Sequence, residues 1–318
     1  MSPRIKYSIV APVFNEAETL PQLHKRIKQV MTSMRQPWEL LLVDDGSTDG
    51  STETIRRLAA QDPHVRPVIF ARNFGHQIAI TAGWDYARGD AIVIIDADLQ
   101  DPPEAIPELA QKWQEGYDVV YAIRAERKGE GWFKRLTASA FYRLIYRITD
   151  VRIPVDTGDF RLMDRKVVTV LKTMRERHRF PRGMSAWVGF NQIGVHYKRS
   201  PRYAGVTKYP FKKMLLLALN AITSFSYFPL QVATYFGFFS AGIAILAIPL
   251  VIYLRMAGIP QFTGQATTLI AVLFLGGIQL ISLGVLGEYI GRLYDEAKNR
   301  PLYIVREAPE APDLAKSR

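Results

Sequence analysis

The sequence predicts an α/β protein with a mostly parallel, Rossmann-like sheet, followed by two membrane-spanning helices. Two observations predict this fold class. Between residues 5 and 122, short and strongly apolar segments alternate with segments of helical spacing, which is typical of a parallel sheet covered on both faces. In residues 214–287 the single charged residue is Arg255, and this interval is long enough for two spans.

The alternating segments give the expected elements in chain order. We expect strands at 5–13, 39–43, 65–70, 91–95 and 118–122, with helices at 17–34, 52–60 and 77–87. Farther along, 132–148 has helical spacing, whereas 157–163 and 192–198 are extended. Ligands of open parallel sheets bind at the carboxyl ends of the strands, where the polar motifs of this chain also lie. The site is therefore expected at that edge.

The C-terminal part defines the expected boundaries. These are a catalytic domain at 1–206, an amphipathic juxtamembrane region at 207–227, a membrane part at 228–291 and a cytoplasmic tail at 292–318. We expect the two spans at about 229–254 and 266–290, and a loose tail from about Arg306. Small residues in the second span suit helix packing, so a homo-oligomer of unspecified number is expected.

The composition limits where in the cell the protein is expected and which partners it is expected to bind. The 318 residues carry a net charge of +11 and no cysteine, which excludes disulfides, thiolate metal sites and cysteine nucleophiles. Basic residues flank the outer ends of both spans and no signal peptide is visible, so the catalytic domain and both termini are expected in the cytoplasm. The basic cluster before the first span favours a membrane surface and lipid phosphate over nucleic acid. It consists of Lys198, Arg199, Arg202, Lys208, Lys212 and Lys213.

The motif Asp96-Ala97-Asp98 directly follows the expected strand at 91–95. Two carboxylates with one residue between them can converge on one hard cation, and Gln100 can supply a further oxygen. An isolated Asp-x-Asp pair is most often a solvated loop, but other polar motifs surround this one at strand ends. We therefore predict that Asp96, Asp98 and Gln100 bind Mg²⁺ or Mn²⁺, which would neutralise charge on a diphosphate leaving group.

Two further motifs follow the first and second strands. In 44–50, an ordinary turn with a helix cap explains the Gly, Ser and Thr residues. The paired acids Asp44 and Asp45 exceed what a turn needs, and a carboxylate there can accept hydrogen bonds from a base or a ribose. In 11–16, Asn15 and Glu16 lie where a base could bind, although this segment alone is a weak signal.

Segments 13–16, 44–49, 71–75 and 96–103 together resemble glycosyltransferase family 2. Within that family the chain is similar to the polyprenyl-phosphate glycosyltransferases, relatives of dolichol-phosphate mannose synthase. The bactoprenol glucosyltransferases of the GtrB type look closest, because they also end in two spans. The resemblance covers residues 5 to about 300 and implies a GT-A fold with a metal-dependent, inverting hexosyltransferase activity.

The resemblance also implies roles for individual residues. The residues expected around the donor are Pro12, Asn15, Glu16, Asp44, Asp45, Asp96 and Lys208. Arg135 and Ser139, one helical turn apart, look like the pair that grips the acceptor phosphate, with a plain surface arginine as the alternative for Arg135. Arg124, Asp156 and Asp159 are the expected catalytic residues. The chain departs from the family pattern at Asp159, so it stays open whether Asp156 or Asp159 faces the reacting centre. His76 and His178 are expected to be structural rather than catalytic.

The expected reaction is transfer of glucose from UDP-glucose to undecaprenyl phosphate, with GDP-mannose as the alternative donor. The alternative from another class of function is a non-catalytic membrane scaffold that binds nucleotide or lipid. Such a scaffold would leave the pairing of Asp96 with Asp98 unexplained. A processive synthase of the same fold is less consistent with the chain, which lacks a Gln-x-x-Arg-Trp segment and has too few spans to enclose a polymer.

Overall fold

A computed structural model of the protein describes residues 4–124, 157–198, 228–257 and 265–309. The described residues divide into two compact units. An α/β unit contains 4–124, 157–198 and 300–309, and a helical unit contains 228–257 and 265–299. The expected helix at 132–148 and the juxtamembrane region at 207–227 lie outside the described residues.

Among the described residues, eight strands form one mixed sheet in the order β7-β5-β6-β4-β1-β2-β3-β8. The strands are β1 Tyr7–Val13, β2 Trp38–Asp44, β3 Val65–Phe70, β4 Ala91–Ile94, β5 Val119–Arg124, β6 Thr157–Asp164, β7 Gln192–Tyr197 and β8 Val305–Glu307. The central strands β4, β1, β2 and β3 run parallel, as predicted. β6 runs antiparallel to both of its neighbours, and β8 runs antiparallel to β3.

Helices cover the sheet wherever the chain returns between parallel strands. In the described part of the α/β unit they are α1 Leu20–Met34, α2 Ser51–Gln61, α3 His76–Tyr86, α4 Ile106–Gln114, α5 Arg165–Thr173 and α6 Pro181–Trp187. In α1 the buried side chains recur at helical spacing, from Leu20 and Leu23 to Ile27, which fixes its apolar face on the core. All residues of β1 and β2 are buried, as expected for strands covered on both faces.

Pro12 lies inside β1, where the absence of a backbone N–H must be accommodated. The pairing of β1 with β4 extends only from Tyr7 to Val10, whereas its pairing with β2 continues to Val13. Pro12 therefore removes no hydrogen bond from the β4 ladder. The neighbouring strands end close together, which leaves polar loops at one edge of the sheet.

The helical unit confirms the prediction of two apolar C-terminal helices. They are α7 Phe228–Met256 and α8 Gln265–Ala297. By length and composition both are sufficient to cross a membrane. Large apolar side chains such as Phe238, Leu246 and Leu280 are exposed on them, as suits a lipid environment. α8 continues seven residues past the expected end of the span at 290, because the helical pattern persists into its polar last turns.

The expectation of a loose tail from Arg306 is wrong for Arg306 and Glu307. These residues belong to β8, in which Val305 is paired with Phe70 and Glu307 with Ile69. The edge of β3 offers unpaired backbone groups, and a three-residue strand is enough to occupy them. Residues 310–318 lie outside the described part.

Candidate active site

The loops after β1 and β2 form one hydrogen-bonded unit. Asn15 adopts a left-handed conformation (φ 56°), and its side-chain oxygen accepts a hydrogen bond of 2.8 Å from the backbone N–H of Thr48. In return, the hydroxyl of Ser47 accepts a bond of 3.0 Å from the N–H of Asn15, and the hydroxyl of Ser51 accepts one from the N–H of Glu16. The structure thus joins the two motifs that the sequence placed near a nucleoside.

Asp44 and Asp45 are both buried, and both carboxylates hold loops in place. Asp44 accepts hydrogen bonds from the N–H of Ser47 and the hydroxyl of Thr52. Asp45 accepts bonds from the N–H groups of Phe74 and Gly75. Burial raises the pKa of Asp45 above its ordinary value, although these N–H groups act in the opposite direction.

Asp45 therefore fixes the loop that leads into α3. Gly75 precedes the first helical residue, His76, and has a φ of 105°, a conformation that favours glycine. The Nε2 atom of His76 lies 3.5 Å from Oδ1 of Asp96 and 3.4 Å from Oδ2 of Asp159. The sequence predicted a structural rather than a catalytic role for His76, and this stays a prediction; the structure adds that the imidazole lies between two site carboxylates. A sequence signal was available, since His76 directly follows the family segment 71–75.

Asp159 is buried and ion-paired. The guanidinium of Arg182, from α6, donates hydrogen bonds of 2.8 and 3.1 Å to the two oxygens of its carboxylate. Burial alone would raise the pKa of Asp159, but Arg182 and His76 outweigh it and hold this pKa well below its usual range. Asp159 is consequently an anion at neutral pH. No sequence pattern singled out Arg182, because its contact with Asp159 joins residues 23 positions apart in the chain.

The charges around His76 also set its own protonation. Burial would lower the pKa of His76, but the hydrogen bond to Asp159 and the negative charges of Asp96 and Asp159 raise it to about 9. The side chain is 38 % exposed, so it can reach a bound molecule as well as these carboxylates.

Asp96 and Asp98 follow β4, at the edge where the parallel strands end. Burial raises the pKa of Asp96 to about 6; the nearby His76 acts against this rise, and the negative charges of Asp101, Asp159 and Asp98 add to it. Its Oδ1 atom is buried and has no hydrogen-bond partner among the described residues. A cation beside Asp96 would give this oxygen a partner, so this pair of carboxylates fits the predicted metal site.

The loop at 98–101 shapes this part of the site. Leu99 has a φ of 61°, and the N–H of Gln100 donates a 3.1 Å hydrogen bond to Oδ1 of Asp98. The described residues contain no group of three or more His, Asp or Glu side chains arranged to hold a metal. With Asp96, Asp98 and Gln100 as ligands, a cation here would share its other positions with water and substrate phosphates, as Mg²⁺ commonly does.

The remaining predicted residues are placed as follows. Arg124 is the last residue of β5 and pairs with Tyr197 of β7, whereas the sequence placed it just past the strand. Arg135, Ser139, Asp156 and Lys208 lie outside the described residues. Among the predicted residues, the structure brings Asp96 and Asp159 to the same imidazole, and the roles assigned to all of them stay predictions.

Residues 8–171 match the model of the family described as Glycosyl transferase family 2. The chain is 53 % identical to the uncharacterized glycosyltransferase YkcC of Bacillus subtilis (strain 168), over 97 % of this chain and 95 % of the relative. It is 46 % identical to the bactoprenol glucosyl transferase of Shigella phage SfII, over 96 % of this chain and 98 % of the relative. It is also similar to the crystal structure of the Mycobacterium tuberculosis glucosyl-3-phosphoglycerate synthase, at 20 % identity and a TM-score of 0.45, over 69 % of this chain and 78 % of that chain.

Proposed function

The chain belongs to glycosyltransferase family 2, and from this premise we propose that it transfers a sugar from a nucleotide diphosphate sugar to polyprenyl phosphate. One observation carries the proposal: Asp96 and Asp159 meet His76 at the edge of the sheet where the loops after β1, β2 and β4 gather. Similarity over nearly the full length to a protein named bactoprenol glucosyl transferase supports the lipid acceptor.

For the donor, glucose from UDP-glucose is the preferred proposal, because the name of that relative specifies glucosyl transfer. GDP-mannose is the alternative. The two apolar helices support a membrane location, and the basic residues that flank them support a catalytic domain on the cytoplasmic side. A lipid phosphate at the membrane surface would be within reach of such an enzyme.

Asp96 and Asp98, with Gln100 as a further oxygen, would hold Mg²⁺ or Mn²⁺. When bound, the cation neutralises charge that develops on the departing diphosphate. Asp159, kept ionised by Arg182, would orient the acceptor or stabilise positive charge on the sugar. His76 would hold Asp159 and Asp96 in their relative positions.

The acceptor needs little help from a general base. The second pKa of a phosphate monoester is near 6, so about nine in ten acceptor molecules are dianions at pH 7. The acceptor phosphate would attack the anomeric carbon from the face opposite the leaving group, which gives inversion. Positioning of the two substrates and stabilisation of the leaving group are therefore the main catalytic tasks.

The remaining proposed roles fall partly on residues outside the described part. Arg135 and Ser139 would bind the acceptor phosphate, and Asp156 shares with Asp159 the role near the reacting centre. Arg124 and Lys208 would contact the donor diphosphate. Pro12, Asn15, Glu16, Asp44 and Asp45 would shape the nucleoside site, which suits the hydrogen-bonded loops after β1 and β2.

A donor panel tests this proposal. The full-length protein, purified into nanodiscs that contain undecaprenyl phosphate, is supplied with radiolabelled UDP-glucose, UDP-galactose, UDP-N-acetylglucosamine or GDP-mannose. The expected result is labelled lipid with UDP-glucose, in the presence of Mg²⁺ or Mn²⁺ and not of EDTA. Labelling from GDP-mannose instead would support the alternative donor, and no labelled lipid from any donor would refute the proposed reaction.

A further inference from the structure

The chain beyond α8 returns to the sheet as a short ordered segment at 300–307, here called the C-terminal strap. Its strand β8 pairs with β3, and Arg56 of α2 forms an ion pair with Glu307. At its other end, the guanidinium of Arg177 donates a hydrogen bond to the backbone oxygen of Arg300. The strap is thus anchored at both ends on the α/β unit.

Tyr303 is the half-buried centre of the strap. Its ring stacks on Phe70, with ring centroids 5.1 Å apart and an angle of 16° between the planes. Its hydroxyl donates a 2.8 Å hydrogen bond to Oδ2 of Asp85, a fully buried carboxylate that also accepts hydrogen bonds from Arg175. A buried carboxylate requires such partners, so Tyr303 is held firmly in this position.

The strap also contacts the first residue of the active-site loop at 71–75. The N–H of Ala71 donates a 2.9 Å hydrogen bond to the oxygen of Ile304, and Arg306 donates one of 3.2 Å to the oxygen of Ala71. Within the loop, Phe74 packs edge-on against Phe70, with centroids 5.6 Å apart, so Phe70 lies between Phe74 and Tyr303. The strap therefore supports the loop through both its backbone and its aromatic packing.

Asp45 holds the same loop from the side of the site, through the N–H groups of Phe74 and Gly75. The loop ends at His76, between Asp96 and Asp159. A short loop that is fixed at both ends has few accessible conformations, whereas a loop fixed at one end gains conformational entropy. We propose that the C-terminal strap is a positioning element of the active site, which fixes the loop at 71–75 and thereby the place of His76.

The role of the strap in substrate binding rests on the proposed function, but its effect on the loop does not. The strap, which follows the second apolar helix in the chain, would then support a loop of the site without supplying any of its acidic residues. Tyr303 is a positioning residue in this scheme, because it contacts Phe70 and Asp85 rather than the carboxylates of the site.

The test compares full-length Tyr303→Ala with Tyr303→Phe, which keeps the stacked ring. Hydrogen exchange of a peptide covering 71–78 should be about tenfold faster in Tyr303→Ala, while a peptide covering 160–171 is unchanged and Tyr303→Phe stays close to the wild type. Truncation after Asn299 should match Tyr303→Ala. Truncation after Pro309, which leaves the strap intact, should match the wild type. Unchanged exchange at 71–78 in Tyr303→Ala would overturn the proposal.

Steady-state kinetics separate a positioning role from general destabilisation. Tyr303→Ala should raise the KM for the sugar nucleotide about three- to tenfold, with little change in the KM for lipid phosphate. A loss of active protein at unchanged KM values would point to destabilisation and contradict the positioning role. If the wild type transfers no sugar, the proposed function fails, whereas the hydrogen-exchange result still decides the role of the strap.

Discussion

The imidazole of His76 lies 3.4 Å from the carboxylate of Asp159, although the two residues are far apart in the sequence. The antiparallel strand β6 creates this proximity, because it lies between β5 and β4 and begins at the edge where the parallel strands end. Asp159 thereby joins Asp96 in one charged cluster, in which Arg182 and His76 supply the positive charges.

Replacement of His76 tests its place in this cluster. We expect His76→Ala to lower turnover roughly ten- to a hundredfold, because Asp96 and Asp159 lose the side chain that holds their carboxylates in position. His76→Gln should recover part of this loss, since its amide can still donate to Asp159. Initial rates of lipid glycosylation measure both effects. His196→Ala, at an exposed position on β7, is the control, and equal rates in the two alanine variants would exclude a role for His76.

The carboxylates after β4 give a separate prediction about the metal. We expect Asp96→Ala and Asp98→Ala each to reduce transfer by about a hundredfold or more, because the leaving group loses its stabilising charge. Both variants should also lose Mn²⁺ binding, as measured by electron paramagnetic resonance on the purified protein. Asp90→Asn removes a more remote carboxylate that is paired with Arg4, and should bind Mn²⁺ normally. Undiminished Mn²⁺ binding and transfer in both alanine variants would refute the metal assignment.

Two glycines near the proposed nucleoside site form a matched pair. Gly46 and Gly50 both have positive φ values, of 72° and 92°, so alanine at either position costs about 1–2 kcal/mol of backbone strain. A Cβ atom on Gly46 would also lie 2.5 Å from the backbone carbon of Arg72, whereas one on Gly50 meets nothing within 4 Å.

We therefore expect Gly46→Ala to displace the loop at 71–75 and weaken nucleotide binding, while Gly50→Ala lowers only the thermal stability. Titration calorimetry with UDP and thermal unfolding measure the two properties separately. Equal UDP affinities in the two variants would show that the contact of Gly46 with Arg72 does not shape the site.

Asp62 allows a prediction of pH-dependent stability away from the site. Its carboxylate is 2 % exposed and lies 2.9 Å from Lys28 and His24 and 2.7 Å from His64. Burial would raise its pKa, but hydrogen bonds from these groups hold the pKa well below the ordinary value of 3.8. Because the folded-state pKa is depressed, this stabilisation is complete well above pH 3.8 and is lost as the pH falls below it.

Asp62→Asn should accordingly cost about 1–3 kcal/mol at pH 7, since partners of a buried carboxylate lose their charged acceptor. Thermal unfolding followed by tryptophan fluorescence should show that the difference from the wild type narrows as the pH falls toward 3. Glu115→Gln, which removes an exposed pair with Lys112, should leave the stability nearly unchanged at every pH. A gap that stays constant with pH would contradict the ionic explanation.

The central strands and the site edge were predictable because their signals are local. β1, β2 and β3 are covered on both faces, so nearly every residue in them is apolar, and polar residues such as Asp44 and Asp96 mark where the strands stop. The second apolar helix was likewise evident from composition, but its end at Ala297 was not, because polar helical turns look like a tail. The helices α4, α5 and α6 carried weaker patterns and were not predicted.

The parallel core, the two apolar helices and the acidic motifs at the strand ends could be predicted from local sequence, because apolar periodicity and strand ends depend on neighbouring residues. Tertiary structure alone decided that His76 would lie between Asp96 and Asp159, that Arg182 would pair with Asp159, and that Tyr303 would support the site loop. These contacts depend on which strands become neighbours in the sheet. A three-residue strand such as β8 is too short to show a sequence pattern, and it is defined by its pairing with the edge of β3.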